Sequence, residues 1–163
     1  MRKILTKIDN LSLTTTTHKD IAYLATLMGD IELMRYTFGK TFTQKEAIEY
    51  IKGHFNFDSN LGFSPILLDN KPIGFGGIFK FDDNSYEFGY ILDKAYWNKG
   101  LATKIAKAQI EYIKNSFKAD IVATSHPKNI ASHKVLQKCG LVYVKDIVMK
   151  HRGERKLFRL NSN

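Results

Sequence analysis

Two short stretches carry residue types that chemistry can use. "YWNKGLAT", residues 96–103, joins a run that reads as a strand to one that reads as a helix, and it holds a glycine, a lysine and a threonine. Free backbone N–H groups at a helix start make an anion site, and glycine lets a ligand approach the chain closely. The amides of Asn98, Lys99, Gly100, Leu101 and Ala102 would all point at one anion, aided by the helix dipole, and a diphosphate fits such a turn. A plainer reading stands beside this one, in which Asn98 caps the helix and Gly100 is incidental. The second stretch is "YEFGYIL", residues 86–92, where Glu87 is the one charged side chain and Tyr86, Phe88, Tyr90 and Leu92 share the opposite face. A carboxylate desolvated on so apolar a strand makes a useful base, acting directly or through water. The alternative is a glutamate paired with a lysine or arginine on a half-open sheet face.

Competing motifs fail on position. "GKT" at 39–41 imitates the end of a P-loop, but the required first glycine falls at Met34. "GFGG" at 74–77 lacks the third glycine of a dinucleotide fingerprint, having Phe79 there, and lies within a strand rather than at its end. His126 and His133 have no third ligand in sight, so no metal is expected. Cys139 is the single cysteine; it excludes an internal disulfide and reads as a small buried hydrophobe rather than a nucleophile.

At 163 residues, 44% hydrophobic and 25% charged, the chain reads as a single domain over 1–163 that buries a core without disulfides or metal. The start has no apolar stretch long enough for a secretory segment, and no run is long enough to span a bilayer, so a cytoplasmic protein without a membrane partner is expected. A net charge of +9 favours a polyanionic partner, such as nucleic acid, a ribosome surface or a phosphorylated cofactor.

The elements that must hold these residues follow from periodicity. "LSLTTTT" (11–17) reads as a strand, followed by short helices over 20–28, 31–36 and 43–54, the last opened by a capping box of Thr43 and Glu46. Residues 61–68, 72–81 and 86–92 make an antiparallel meander joined by "DNK" and "DDNS". Leu101, Ile105, Ala108 and Tyr112 recur at helical spacing, giving a long amphipathic helix packed on that sheet. A strand over 120–125, a helix over 129–139 ended by Gly140, and strands over 141–149 and 156–160 complete an α/β fold with a mixed sheet.

"EFGYILDKAYWNKGLATKIAKAQIEYI", followed by a strand and then Asn129, Ser132, Val135, Leu136, Lys138 and Gly140 in the order N-x-x-S-x-x-V-L-x-K-x-G, resembles the GNAT superfamily of acyl-CoA-dependent N-acetyltransferases. More narrowly, the chain is similar to the ribosomal-protein N-acetyltransferase (Rim-like) branch, whose opening helices "DIAYLATLMGDIELMRYT" and "TFTQKEAIEYI" match. The resemblance implies a mixed, mostly antiparallel central sheet, splayed between two strands and flanked by helices on both faces. It implies acetyl-CoA as co-substrate and no metal, with the diphosphate on the turn at 97–102, Thr103 following it, and the pantetheine arm between the splayed strands. Trp97, Gly100 and Ala102 stand in register with the branch's W-G-K-G-x-A turn; Asn98 stands where glycine is usual, and asparagine tolerates positive φ better than most residues.

The same resemblance implies site roles. Glu87 matches the "E-x-G-Y" on the strand beside the acetyl group and would act as base, while backbone N–H groups near Ile91 or Leu92 would hold the developing oxyanion. Many superfamily members carry an acidic tyrosine seven positions after the motif asparagine. Leu136 stands there, so the role passes to Ser132, with Asn129 a pantetheine contact. As plain alternatives, Ser132 bonds its own helix and Asn129 caps it. Three functions compete: acetylation of a protein α-amino group, with the ribosome as one setting, where the basic surface suits rRNA docking; acetylation of a small amine such as an antibiotic, polyamine or amino acid; or a basic module that binds acyl-CoA or nucleic acid without turnover. Glu87 with Ser132 argues against the third. A cationic acceptor needs local acidity, for which Asp30, Glu32, Asp82 and Asp83 are the loop candidates, and "KHRGERK" (150–156) reads as a solvated hairpin tip or an RNA contact. Monomer and homodimer both stay open.

Overall fold

The computed structural model describes residues 1–160. The chain enters on an antiparallel hairpin of β1 (Ile4–Ile8) and β2 (Leu11–Thr14). Residues 4–8 carry too little alternation to announce a strand, since only Leu5 among them is buried. Tertiary contacts recruit them instead: they pair with β2, and Thr6 Oγ1 donates to the Ala108 carbonyl at 3.1 Å. The strand expected over 11–17 stops at Thr14 because the next amides leave the ladder. Thr15 N–H bonds the Lys3 carbonyl, Thr16 N–H bonds that of Asn56, and Thr17 opens a single 3-10 turn.

Three helices follow, α1 (Ile21–Met28), α2 (Ile31–Met34) and α3 (Gln44–His54). The capping box at α3 forms as expected: Glu46 N–H donates to Thr43 Oγ1 at 3.1 Å and Thr43 N–H to Glu46 Oε1 at 2.9 Å. The meander is β3 (Gly62–Leu68), β4 (Lys71–Asp82) and β5 (Ser85–Leu92), antiparallel throughout. "GFGG" belongs to β4 for a packing reason, since a Cβ at Gly76 would overlap the Gly89 carbonyl oxygen of β5. Then come α4 (Leu101–Phe117), β6 (Asp120–Ser125), α5 (Ile130–Lys138), β7 (Leu141–Met149) and β8 (Gly153–Leu160).

The strands form one mixed sheet in the order β1-β2-β3-β4-β5-β6-β8-β7, with β5 and β6 its parallel pair. On one face α4 and α5 bury Ile105, Ala106, Ile113 and Leu136 against Leu13, Phe88 and Phe158. On the other, α1 to α3 bury Leu24, Met28, Met34 and Ile51 against Phe75. Each of the Leu, Ile, Met and Phe side chains among them contributes about 1.5–3 kcal/mol on leaving water, so the two layers clamp β4 and β5 between them.

The feature that matters for function is where the sheet comes apart. β5 and β6 pair over Ser85–Asp120, Tyr86–Ile121 and Glu87–Val122 only. Beyond Glu87, β5 stays with β4, while β6 runs with β8 from Val122–Arg159 to Ser125–Lys156. A wedge therefore opens between the ends of β5 and β6, with Glu87 at its apex.

Candidate active site

The two sides of β5 are used differently. Asp93 N–H bonds the Ile73 carbonyl of β4, and Gln109 Nε2 from α4 reaches both the Gly77 and Gly89 carbonyls, so the odd-numbered backbone groups here face β4. Amides alternate along a strand, which turns those of Tyr90 and Leu92 to the open wedge. The Leu92 carbonyl lies on that side as well, where it accepts from Trp97 Nε1 at 2.8 Å. Of the two expected oxyanion donors, Leu92 therefore has the amide that faces the gap; Ile91 turns its amide to β4 and its side chain toward the α1–α3 layer.

At the end of the wedge, the turn before α4 has the backbone an anion needs. Asn98 takes φ 61 and Gly100 φ 75, both left-handed, and Gly100 rather than Asn98 occupies the helix N-cap. An asparagine thus fills a glycine-like conformation at position 98. The amides of Asn98, Lys99, Gly100, Leu101, Ala102 and Thr103 donate to no acceptor among the described residues, and an added Cβ at Gly100 would meet nothing within 4 Å. Lys99 Nζ lies 5.7 Å from the centre of the Tyr96 ring. Trp97 stays 42% exposed and fastens the turn to β5 through its ring N–H.

A cavity of about 950 Å³ lies along the wedge. Its far wall is aromatic, with Phe38, Phe42, Tyr50, Phe63 and Phe79. Gly89, Tyr90, Asn129, Ser132 and Leu136 line it at the gap, and Glu87, Thr124, Ser125, Arg152 and Arg155 form its polar floor. Glu87 is 6% exposed and both of its oxygens are occupied. Arg152 donates Nη2 to Oε1 at 3.0 Å and Nη1 to Oε2 at 3.1 Å, and Thr124 Oγ1 donates to Oε2 at 2.8 Å. Thr124 Oγ1 in turn accepts from Arg152 Nη1 and Arg155 Nε, each at 3.3 Å, which uses its full hydroxyl capacity.

On the gap side, Asn129 caps α5, its Oδ1 accepting from Ser132 N–H at 3.3 Å, so its side-chain NH₂ remains for another partner. The Tyr90 hydroxyl is buried without a hydrogen bond of good geometry among the described residues. Burial pushes that phenol up to about 12, while the neighbouring Ser132 hydroxyl pulls the other way. Cys139 is half-buried, and burial pushes its thiol up as well, which favours the unreactive form. His133 Nε2 bonds the His126 carbonyl at 3.1 Å, so that pair latches the start of α5. Among the described residues no group of three or more His, Cys, Asp or Glu side chains is placed to hold a metal ion.

Two expectations are corrected. The acidic loop residues do not line the cavity. Asp30 and Glu32 are tied to Lys94 at 3.0 and 3.2 Å, Asp82 accepts from Ser85 Oγ at 2.7 Å in the β4–β5 turn, and Asp83 lies 3.9 Å from Lys80. Nor is the 150–156 stretch a solvated tip throughout: β8 begins at Gly153, Arg155 is 5% exposed, and Arg152 turns inward onto Glu87. Arg152, Arg155, Thr124 and Ser125 are the site residues that sequence reasoning missed. The one signal was the run of charge itself, which in a turn reads as solvent-facing.

Comparisons with known proteins identify the family and the fold. Residues 10–142 match the family model described as an acetyltransferase (GNAT) domain. The chain is 32% identical over 116 residues to an uncharacterized N-acetyltransferase, YnaD, of Bacillus subtilis (strain 168), covering 69% of this chain and 67% of that protein. In structure it is similar to a GNAT-family acetyltransferase from Bacillus anthracis, with a TM-score of 0.83 and 22% identity over 95% of this chain and 96% of the other. It also shares its fold with RimL, a ribosomal L7/L12 α-N-protein acetyltransferase, with a TM-score of 0.78 and 14% identity over 98% and 94% of the two chains. The chain belongs to the GNAT acetyltransferase family, and it is an acetyl-CoA-dependent N-acetyltransferase. Among the described residues no helix is long and apolar enough to cross a membrane.

Proposed function

We propose that the chain transfers the acetyl group of acetyl-CoA to a primary amine that enters through the aromatic cavity. The observation that carries this is the continuity of the wedge with the cavity: the unpaired edge of β5 and the buried Glu87 line one space. The residues fit the co-substrate. The free amides of residues 98–103 suit its diphosphate, the open Tyr90 and Leu92 amides suit an arm that bonds as a strand does, and the Asn129 NH₂ suits the same arm. When bound, acetyl-CoA supplies an activated thioester.

The protein's own groups then divide the work. The Leu92 amide holds oxygen as it gains charge. Glu87 takes the amine proton, directly or through water, by loosening one of its Arg152 bonds. Ser132 and Tyr90 present hydroxyl protons at the gap, where sulfur departs. The amine lone pair forms the C–N bond, the C–S bond breaks with its electron pair on sulfur, and the proton lost by nitrogen is balanced by one gained at sulfur. The products are an N-acetyl amine and free coenzyme thiol.

Of the acceptors weighed from the sequence, a polycation fits worst. Lys40, Lys80, Lys150, Arg152 and Arg155 line the cavity, and Glu87 is the one carboxylate among its described lining residues. An antibiotic or polyamine bearing several ammonium groups would meet repulsion there. The α-amino group of a peptide or amino acid, with a single positive charge and an apolar body, fits the wall and the floor together. A thiol-release assay with acetyl-CoA tests the proposal across a panel of polyamines, aminoglycosides, amino acids and peptides that begin with Ser, Ala or Thr. Turnover on α-amines supports it; turnover on polycations alone overturns the acceptor assignment.

A further inference from the structure

Among the described residues Arg155 has no carboxylate of its own. Three of its five N–H donors are used, all on neutral oxygens: Nε on Thr124 Oγ1 at 3.3 Å, Nη2 on the Thr124 carbonyl at 3.1 Å, and Nη1 on the Tyr36 carbonyl. Two donors remain. The nearby acid, Glu87, is already gripped on both oxygens by Arg152. The floor of the cavity therefore carries two guanidinium groups against one carboxylate, and the arginine lacking a carboxylate partner is the more buried of the two. Burial and the neighbouring Arg152 pull the Arg155 guanidinium down to about 10, with Glu87 opposing them. A buried cation left uncompensated is costly unless an anion joins it.

A second, independent feature points to the same spot. Ser125, next to Thr124 on β6, is 2% exposed, lines the cavity, and its hydroxyl has no partner among the described residues. A buried hydroxyl without a hydrogen bond is unusual in a folded protein, and a ligand oxygen entering the cavity would supply the missing partner.

Accordingly, we infer that the acceptor is zwitterionic: a free amino acid with an aromatic or bulky apolar side chain, its carboxylate held by Arg155, Ser125 and the outer face of Arg152, and its amine at Glu87. The inference rests on the acetyl-transfer reading above. An amino acid carries its two charges a few ångströms apart, and the Glu87–Arg152 pair offers the complementary charges in the reverse order. Phe38, Phe42, Tyr50 and Phe63 then receive the side chain. A peptide amino terminus has exchanged its α-carboxylate for an amide and leaves the buried charge unmatched.

The test compares matched amines on the full chain by thiol release at fixed acetyl-CoA. The pairs are phenylalanine against 2-phenylethylamine and leucine against 3-methylbutylamine, with the dipeptides Phe-Ala and Phe-Glu as peptide arms. The expected result is a kcat/KM about 10-fold or more higher for each amino acid than for its decarboxylated twin, because a site built for a polar group is left unpaired when that group is missing. Arg155→Gln should shrink that preference, raising KM for the amino acid by a larger factor than for its twin; a purely structural arginine would depress both alike. Should that variant fail to fold, the wild-type chain still decides. 3-Phenylpropionate, a carboxylate with no amine, should compete with the amine substrate and not with acetyl-CoA. Decarboxylated amines matching the amino acids, either dipeptide outrunning them, or an absence of inhibition by 3-phenylpropionate would each overturn the inference and leave amine acetylation standing. Acetylation of none of the amines would remove the acetyl-transfer reading and the inference with it.

Discussion

Arg152 holds both oxygens of Glu87, at 3.0 and 3.1 Å, across the apex of the wedge where β5 and β6 part. Of the two readings open for that glutamate, base or ion-pair partner, the pairing is present, and it sits in the cavity wall rather than on a half-open sheet face. The arginine is a third exposed, so exchange of one of its bonds for an acceptor amine is open to the site.

Glu87→Gln keeps the side-chain shape and an oxygen for Thr124, so the fold and acetyl-CoA affinity should survive. With the base gone, kcat/KM at neutral pH should fall by ~10²- to 10⁴-fold. The loss should shrink as pH rises, because the amine then deprotonates unaided. A loss that is the same at every pH would assign Glu87 to holding Arg152 in place.

Gly100→Glu puts a negative charge at the amides of residues 98–103 and a Cβ on a residue at φ 75. The left-handed conformation costs a non-glycine residue roughly 1–2 kcal/mol, and Gly100→Ala bears that cost without the charge. Calorimetry should show acetyl-CoA affinity falling at least ~10-fold for the glutamate variant beyond any effect of alanine. Equal affinities in folded variants would move the diphosphate elsewhere.

Tyr90→Phe removes a buried hydroxyl that has no good hydrogen bond, so thermal stability should hold or rise. If that phenol or its neighbour Ser132 donates to departing sulfur, Tyr90→Phe and Ser132→Ala should each lower kcat by roughly 10- to 100-fold with little change in acetyl-CoA affinity. Steady-state kinetics beside thermal melts separate the outcomes. If kcat is unchanged in both, solvent protonates the thiolate, and Ser132 is a residue of the first turn of α5.

The sequence made legible what local chemistry decides. The meander, the α3 capping box, the helix α4 and the glycine-like use of Asn98 all follow from periodicity, turn residues and backbone preference, whereas the cap of α4 falls on Gly100 and not on Asn98. β1 was hidden because Lys3 and Lys7 flank its one buried side chain, Leu5, and the strand exists only by pairing with β2. Arg152 and Arg155 were hidden for the opposite reason. Charge in a turn points to water by default, and only the course of β8 beside β6 carries Arg155 under Tyr36 and onto Thr124. Sequence spacing likewise could not show that Asp30 and Glu32 are engaged elsewhere, since their partner Lys94 lies far along the chain, in the turn after β5.

The most direct test of acetyl transfer to an amine follows both products at once. The full chain is incubated with acetyl-CoA labelled in its acetyl group and with phenylalanine, and free thiol and labelled N-acetyl amine are measured together over time. Acetyl transfer at this cavity predicts one labelled amide for each thiol released, at a rate that Glu87→Gln depresses. Thiol released without label on the amine, or acetyl-CoA bound with neither product formed on any primary amine, would contradict it.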